Sequence, residues 1–142
     1  MSTAVEYGHS FPYLFDQATR KSFPGLQFDL SLPGNFHVTA YTRAHLDTGA
    51  ELSLFDGALV VPTLGIDLMA GPEVALNSAG TFALSARIHR LEISHPMLGS
   101  FTLDAAISTV PIARNLLGRD FFEHIQIGFR EFHHTFHIAT GP

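Results

Sequence analysis

The residues best suited to chemistry are four in a row, Asp47, Thr48, Gly49 and Ala50, which follow an apolar strand pattern ending at Leu46. A rigid strand end is a good support for a carboxylate that acts as a general acid or base. Gly49 permits a close backbone approach, and the Thr48 hydroxyl can hold the turn by bonding to neighbouring backbone. The small Ala50 side chain would keep the floor of a cleft narrow. The alternative is a purely structural Asp47 that caps its own turn, because Asp-x-Gly is ordinary turn chemistry.

A second short run, Leu-Leu-Gly-Arg-Asp at residues 116–120, adds to the first, and its glycine lies 71 residues after Asp47. Residues 119–124 lack strand alternation and predict one or two helical turns. Together the two runs resemble the retropepsin-like aspartic proteases. In that family Asp-Thr/Ser-Gly-Ala follows an apolar pair, and two apolar residues, a glycine and a polar residue open a short helix near the C-terminus. The similarity extends over about residues 36–138.

The resemblance implies structural roles for residues around the catalytic turn. Leu116 and Leu117 would thread under this turn, and Gly118 would follow them. Arg119 would form a two-pronged ion pair with Glu51 in the same subunit.

His45 departs from the family pattern, which has an apolar residue two places before the aspartate. Two explanations remain open at this stage. His45 either faces the opposite side of its strand from Leu46 or tunes the local charge.

The resemblance also implies a reaction and a partner. Peptide hydrolysis of this type uses two carboxylates about one water, and this chain has a single Asp-Thr-Gly, so a second copy must supply the other Asp47. Two adjacent carboxylates share a proton, and one then acts as general base while the other donates to the scissile carbonyl. The implied protein is a homodimeric aspartic endopeptidase, without cofactor or metal, whose activity peaks on the acidic side of neutral. The alternative is a non-catalytic dimerisation or peptide-binding module of the same fold.

A flap is implied between two strand-like segments at residues 74–76 and 82–93. Its tip would be Asn77, Ser78, Ala79 and Gly80, a small and polar stretch. A peptide or protein substrate would lie extended beneath it, held by main-chain hydrogen bonds as an added strand.

The elements that must position Asp47 are predicted to be strands. Residues 26–32 alternate apolar with polar, a Pro-Gly-Asn turn follows, and residues 36–46 resume an extended pattern, so residues 26–46 predict a hairpin leading into Asp47. Residues 59–68 favour a bent or edge strand over a helix, because Pro62 and Gly65 interrupt them.

Further strands are predicted at residues 101–105, 125–129 and 132–138, the last two as parts of the dimer interface. The predicted fold class is all-β, a small closed barrel of the retropepsin type with one short helix near the C-terminus, a flap hairpin and a homodimeric assembly. Residues 26–142 would form the protease domain, and residues 1–25 an N-terminal extension of unknown role.

The composition agrees with one domain and excludes several partners. The chain has 142 residues, 46% hydrophobic and 15% charged, with a net charge of −5 and no basic run, which argues against nucleic acid. No apolar stretch reaches 18 residues, and no secretory pattern opens the chain, so we expect no membrane association and a cytoplasmic location. There is no cysteine, and His133, His134 and His137 do not converge on one strand face, which favours surface histidines over a metal site.

Overall fold

The computed structural model describes residues 5–77 and 83–141 and is mostly β. The strands, in chain order, are β1 (His9–Pro12), β2 (Leu14–Asp16), β3 (Lys21–Phe23), β4 (Gly25–Leu32), β5 (Asn35–Leu46), β6 (Leu54–Phe55), β7 (Glu73–Asn77), β8 (Ala83–His95), β9 (Gly99–Ser108), β10 (Asn115–Leu117), β11 (Gln126–Arg130) and β12 (Thr135–Ala139). The α-helices are α1 (Gly57–Leu64) and α2 (Arg119–Phe122), and 3₁₀ turns lie at Leu68–Ala70 and Glu131–His133.

Seven strands form the main sheet, in the order β4-β5-β10-β6-β9-β8-β7. The sheet folds back on itself because β4 also pairs with β8. A three-stranded sheet, β1-β12-β11, and the β2-β3 hairpin complete the described architecture. The mostly β architecture predicted from the sequence is therefore present, and the closed barrel stays a prediction.

The hairpin predicted before Asp47 is present. Strands β4 and β5 are antiparallel, with Leu26 opposite Ala44 and Leu30 opposite Ala40. Their turn includes Gly34 at φ +80°, a conformation that glycine adopts without strain. Alternate β4 residues, Leu26 and Leu30 among them, are buried, which fixes the register because a slip of one residue would expose them.

Residues 57–64 form helix α1, so the strand predicted over residues 59–68 is wrong. The Asp56 side chain accepts from the Ala58 N–H as an N-cap, and Gly65 closes the helix at φ 68°. Gly65 thus ends a helix and does not interrupt a strand. Pro62 has a φ that suits a helix and lacks only its N–H. Val60 and Leu64, one helical turn apart, are both buried, so tertiary packing offsets that lost hydrogen bond.

The C-terminal region agrees with the predicted short helix and differs at the last strand. Helix α2 lies within the segment predicted to be helical. The final strand begins at Thr135, because Glu131–His133 form a 3₁₀ turn and His134 adopts φ 51°. Strand β12 then pairs with β11 on one side and with β1 on the other.

The core contains the largest fully buried side chains of several elements. Phe28, Phe55, Phe121 and Phe136 are each at most 2% exposed. Burying one such side chain stabilises a fold by about 1.5–3 kcal/mol. Leu46 of β5 belongs to the same core cluster as Phe121, so the core links the strand before Asp47 to helix α2. No helix within residues 5–77 and 83–141 has the length and hydropathy that crossing a bilayer requires.

Candidate active site

Asp47 lies directly after β5, in a turn that its own groups stabilise. Its backbone N–H donates to the Leu117 carbonyl at 2.9 Å, and its carbonyl accepts from the Ala50 N–H at 3.2 Å. Its Oδ1 accepts from the Gly49 N–H at 2.9 Å. The side chain is half-buried, so the carboxylate is held at one oxygen and still reaches the surface.

The neighbours of Asp47 contribute less directly than the sequence predicts. Thr48 is exposed, and its hydroxyl makes no hydrogen bond with any described residue, so the turn is held by the Asp47 carboxylate. Gly49 does not adopt a positive φ. A Cβ at Gly49 would lie 3.3 Å from Asp47 Oδ1, so glycine here gives the carboxylate room. Ala50 is half-buried, and its carbonyl accepts from the Arg119 N–H at 2.8 Å.

Strand β10 runs between the two strands that flank the Asp47 turn. It pairs in parallel with β5, where Leu116 faces His45 and Leu117 faces Leu46, and antiparallel with β6 through Leu116 and Leu54. The two leucines therefore pass beneath the loop at residues 47–53, and the side chain of Leu117 is fully buried. Because β10 bonds to Asp47 itself, it limits the movement of the turn.

Gly118 follows β10 and is in close contact with the loop at residues 47–53. A Cβ there would lie 2.8 Å from the Ala50 carbonyl oxygen and 2.8 Å from the carbonyl carbon and oxygen of Leu52. All three atoms belong to the backbone, so a side chain could be accommodated only if the loop moved. Glycine is required at position 118 because the backbone of the loop approaches so closely. Its backbone conformation does not require glycine, since φ is −107°.

The predicted ion pair between Arg119 and Glu51 is absent from the described structure, where both residues are exposed. Arg90 and Asp104 form the one ion pair within residues 5–77 and 83–141. The segments of Arg119 and Glu51 meet instead through the backbone, where the Asp120 N–H donates to the Glu51 carbonyl at 3.3 Å.

Ser53 and Asp120 provide a side-chain link between the two segments that the sequence pattern does not predict. The Asp120 carboxylate accepts from the Ser53 N–H at 2.9 and 3.0 Å and from the Ser53 hydroxyl at 2.6 Å. The same hydroxyl oxygen accepts from the Gly118 N–H at 3.0 Å. The only sequence signal for this link is the acidic residue that follows Gly-Arg, because the serine lies 67 residues away.

We expect Ser53→Ala to lower the free energy of unfolding by about 1–3 kcal/mol. The side chain is fully buried, and its loss leaves the Gly118 N–H and part of the Asp120 carboxylate without a partner. Urea unfolding measures the change. The control is Ser100→Ala, which removes an exposed hydroxyl that is hydrogen-bonded to the Ser94 hydroxyl. Equal unfolding midpoints for both variants would show that Ser53 does not connect the two segments.

His45 lies on the open side of β5, two residues before Asp47, and the buried Leu46 faces the other way. Its ring stacks on Phe23, with 3.8 Å between centroids and 9° between planes. Burial is the main cause that lowers the pKa of His45, and the nearby Arg114 charge lowers it further. The neutral ring is therefore favoured near neutral pH. His45 therefore faces the opposite side of β5 from Leu46, which is one of the two explanations that the sequence left open. The other, that His45 tunes the local charge, is compatible with this position.

The predicted flap lies partly within the described residues. Strands β7 and β8 form an antiparallel hairpin that ends at Asn77 opposite Ala83. Ser78, Ala79 and Gly80 lie outside the described residues.

His133 and His134 belong to the turn before β12, so the comparison of their strand faces with that of His137, made for a strand over residues 132–138, does not apply to them. Elsewhere too, no group of three or more His, Asp or Glu side chains within residues 5–77 and 83–141 is placed to hold a metal ion.

Comparison with known structures identifies the fold. A retropepsin-like aspartic protease from Rickettsia conorii matches 96% of this chain and 97% of its own, with a TM-score of 0.62 and 10% sequence identity. EIAV protease complexed with the inhibitor HBY-793 is similar at a TM-score of 0.48, with 16% identity over 71% of this chain and 86% of its own. No protein-family model and no curated protein matches the sequence.

Proposed function

We propose that this chain, which has a retropepsin-like fold, is an aspartic endopeptidase whose active site forms between two copies. Asp47 of each subunit would contribute one carboxylate to a shared water. One carboxylate takes a proton from the water as it attacks the peptide carbonyl, and the other donates a proton to the carbonyl oxygen. This mechanism requires no cofactor.

The observation that supports the proposal most strongly is how the Asp47 turn is built. The carboxylate is half-buried and oriented by the Gly49 N–H, and its backbone is bonded to a strand that passes beneath the loop. A group held in this way loses little conformational freedom when it reacts, which is what acid–base catalysis by a carboxylate requires. A capping role alone does not account for a strand threaded between the two flanks of the turn.

A second subunit has an available surface near the chain termini. Both edges of β12 are occupied by β1 and β11, so an intersubunit sheet would extend from the outer edge of β1 or β11. This refines the predicted interface at residues 125–129 and 132–138. Phe132, in the turn between β11 and β12, is 92% exposed, and Phe129 is 39% exposed. Burying these rings against a second copy would contribute favourably to association.

The peptide substrate would lie extended across the two Asp47 side chains, with the β7-β8 hairpin as the flap. Asn77, Ser78, Ala79 and Gly80 remain the proposed tip. Main-chain hydrogen bonds would hold the peptide as an added strand, and pockets beside the site would choose its side chains.

A subunit-mixing experiment tests the shared site. Wild-type chain is refolded with increasing amounts of Asp47→Asn chain, and cleavage of denatured casein is measured per wild-type subunit. With equal amounts, random pairing should reduce this activity to about half, because a mixed dimer has one carboxylate of the pair. Activity per wild-type subunit that does not depend on the added variant would show that each chain works alone.

The control for mixing is Asp104→Asn chain, which has the same change of side chain at an exposed position on β9. Its mixtures should keep full activity per total subunit. A loss of activity in these mixtures would indicate damage from refolding and not from unpaired carboxylates.

A further inference from the structure

A cavity of about 420 Å³ lies between strand β5 and the β2-β3 hairpin, and His45, two residues before Asp47, is part of its lining. Its lining includes the charged residues Arg43, Arg114 and Asp16 and the stacked rings of His45 and Phe23. This volume is within the range of natural ligand sites. The proposed reaction does not use any of these side chains, so the cavity requires an explanation of its own.

The cavity is on the same side of β5 as the candidate catalytic carboxylate. Arg43 and His45 are alternate residues of β5 and share a face. Asp47 is the next alternate position, one residue after the strand ends, and its N–H still bonds to β10. The residues between them, Ala44 and Leu46, are buried on the opposite face. Positions two apart in a strand are separated by about 7 Å, so His45 is an immediate neighbour of Asp47 on the open face.

Arg114 is the cation best placed to bind a ligand in this cavity. It forms no hydrogen bond or ion pair with another residue in the described part of the chain. Arg43 is already engaged, because it donates to the Phe15 carbonyl and its guanidinium lies 5.4 Å from the centre of the Phe23 ring. The positive charge of Arg43 still contributes to the electrostatic potential in the cavity.

Two other polar side chains of the lining, those of Asn115 and Asp16, form hydrogen bonds within the protein. Asn115 uses both ends of its amide, accepting from the Asp56 N–H and donating to the Arg43 carbonyl. The Asp16 carboxylate accepts from the N–H groups of Ala18 and Thr19. With two arginines and one aspartate the lining has a net charge of +1 when His45 is neutral, so it favours an anionic group.

We propose that this cavity is a subsite for an acidic side chain of the peptide substrate, with Arg114 as its specificity-determining residue. The inference rests on the proposed peptidase function and names its substrate class. The carboxylate of a Glu or Asp side chain would accept hydrogen bonds from the Arg114 guanidinium, and its carbon chain would pack against the His45 and Phe23 rings. Alternate side chains of an extended peptide are about 7 Å apart, so the selected residue lies within about two positions of the cleaved bond.

Peptide pairs that differ only by Glu or Gln at one position test this proposal in cleavage. We expect Glu to raise kcat/KM by roughly tenfold at one position near the cleaved bond, as a charge-assisted hydrogen bond provides. Arg114→Gln should remove that preference, so that the Glu and Gln peptides are cleaved with the same kcat/KM. The control, Arg90→Gln, removes the same charge from the exposed ion pair on β8 and should keep the preference. If cleavage depends on Asp47 but kcat/KM is the same for the Glu and Gln peptides at every position, the subsite is rejected and the proposed peptidase function stands.

Binding separates the subsite from catalysis. An extended fluorescein-labelled peptide with Glu at alternate positions, and its Gln counterpart, are titrated with Asp47→Asn protein and followed by fluorescence anisotropy. We expect the Glu peptide to bind roughly tenfold more tightly than the Gln peptide. This difference should vanish in the double variant that carries both Asp47→Asn and Arg114→Gln. Equal binding of the two peptides would reject the subsite whether or not the protein cleaves peptides. A difference that persists without the Arg114 side chain would reject its assignment.

Discussion

Asp47→Asn is expected to reduce kcat/KM for peptide cleavage by at least about 10³-fold, because the change removes both the general base and the proton it exchanges. The structure should survive, since the Asn side-chain oxygen can still accept the hydrogen bond from the Gly49 N–H at Oδ1. Hydrolysis of denatured casein between about pH 4 and pH 8 measures the activity, in the range where this acid–base chemistry is expected.

The matched control is Asp104→Asn, which makes the same substitution in an exposed ion pair with Arg90. Exposed pairs contribute little to stability, so this variant should keep its activity and its unfolding midpoint. Activity of Asp47→Asn within about threefold of wild type would remove Asp47 from the mechanism, given that base removal costs far more. Binding of peptide without cleavage by the wild type would favour the non-catalytic peptide-binding module.

Gly118→Ala is expected to lower the free energy of unfolding by about 3 kcal/mol, as overpacking against a rigid backbone does. The added Cβ would meet the carbonyl groups of Ala50 and Leu52 at 2.8 Å. No flexible side chain can move aside there, so either β10 or the Asp47 loop must shift. We also expect reduced peptide cleavage, because the Asp47 N–H is bonded to the residue just before Gly118.

Gly8→Ala is the appropriate comparison, because nothing lies within 4 Å of a Cβ at that position. Both substitutions restrict the unfolded chain by a similar amount, so the difference between them reports the close approach at Gly118. Urea unfolding of the two variants measures it. Unfolding free energies within about 0.5 kcal/mol of each other would show that the loop accommodates the methyl group.

Part of the fold was predictable because short-range patterns determine it. The alternation in residues 26–32 and the Pro-Gly turn after them predicted the β4-β5 hairpin and its lead into Asp47. Helix α1 was not predicted, because Pro62 and Gly65 are compatible with a broken strand as well as with a capped helix. The burial of Val60 and Leu64 against other elements decided between the two.

By itself, the sequence determined the Asp47 turn and placed it at the end of a strand, since both depend on neighbouring residues. Tertiary structure decided what holds that turn: β10 between β5 and β6, and the Ser53 to Asp120 link across 67 residues. It also placed Arg114 and His45 in the lining of one cavity. The reason is physical. Periodicity and turn chemistry act over a few residues, whereas contacts between distant segments depend on how the whole chain packs. The sequence therefore predicted an ion pair between Arg119 and Glu51, whereas the neighbouring Asp120 joins the two segments by bonding to Ser53.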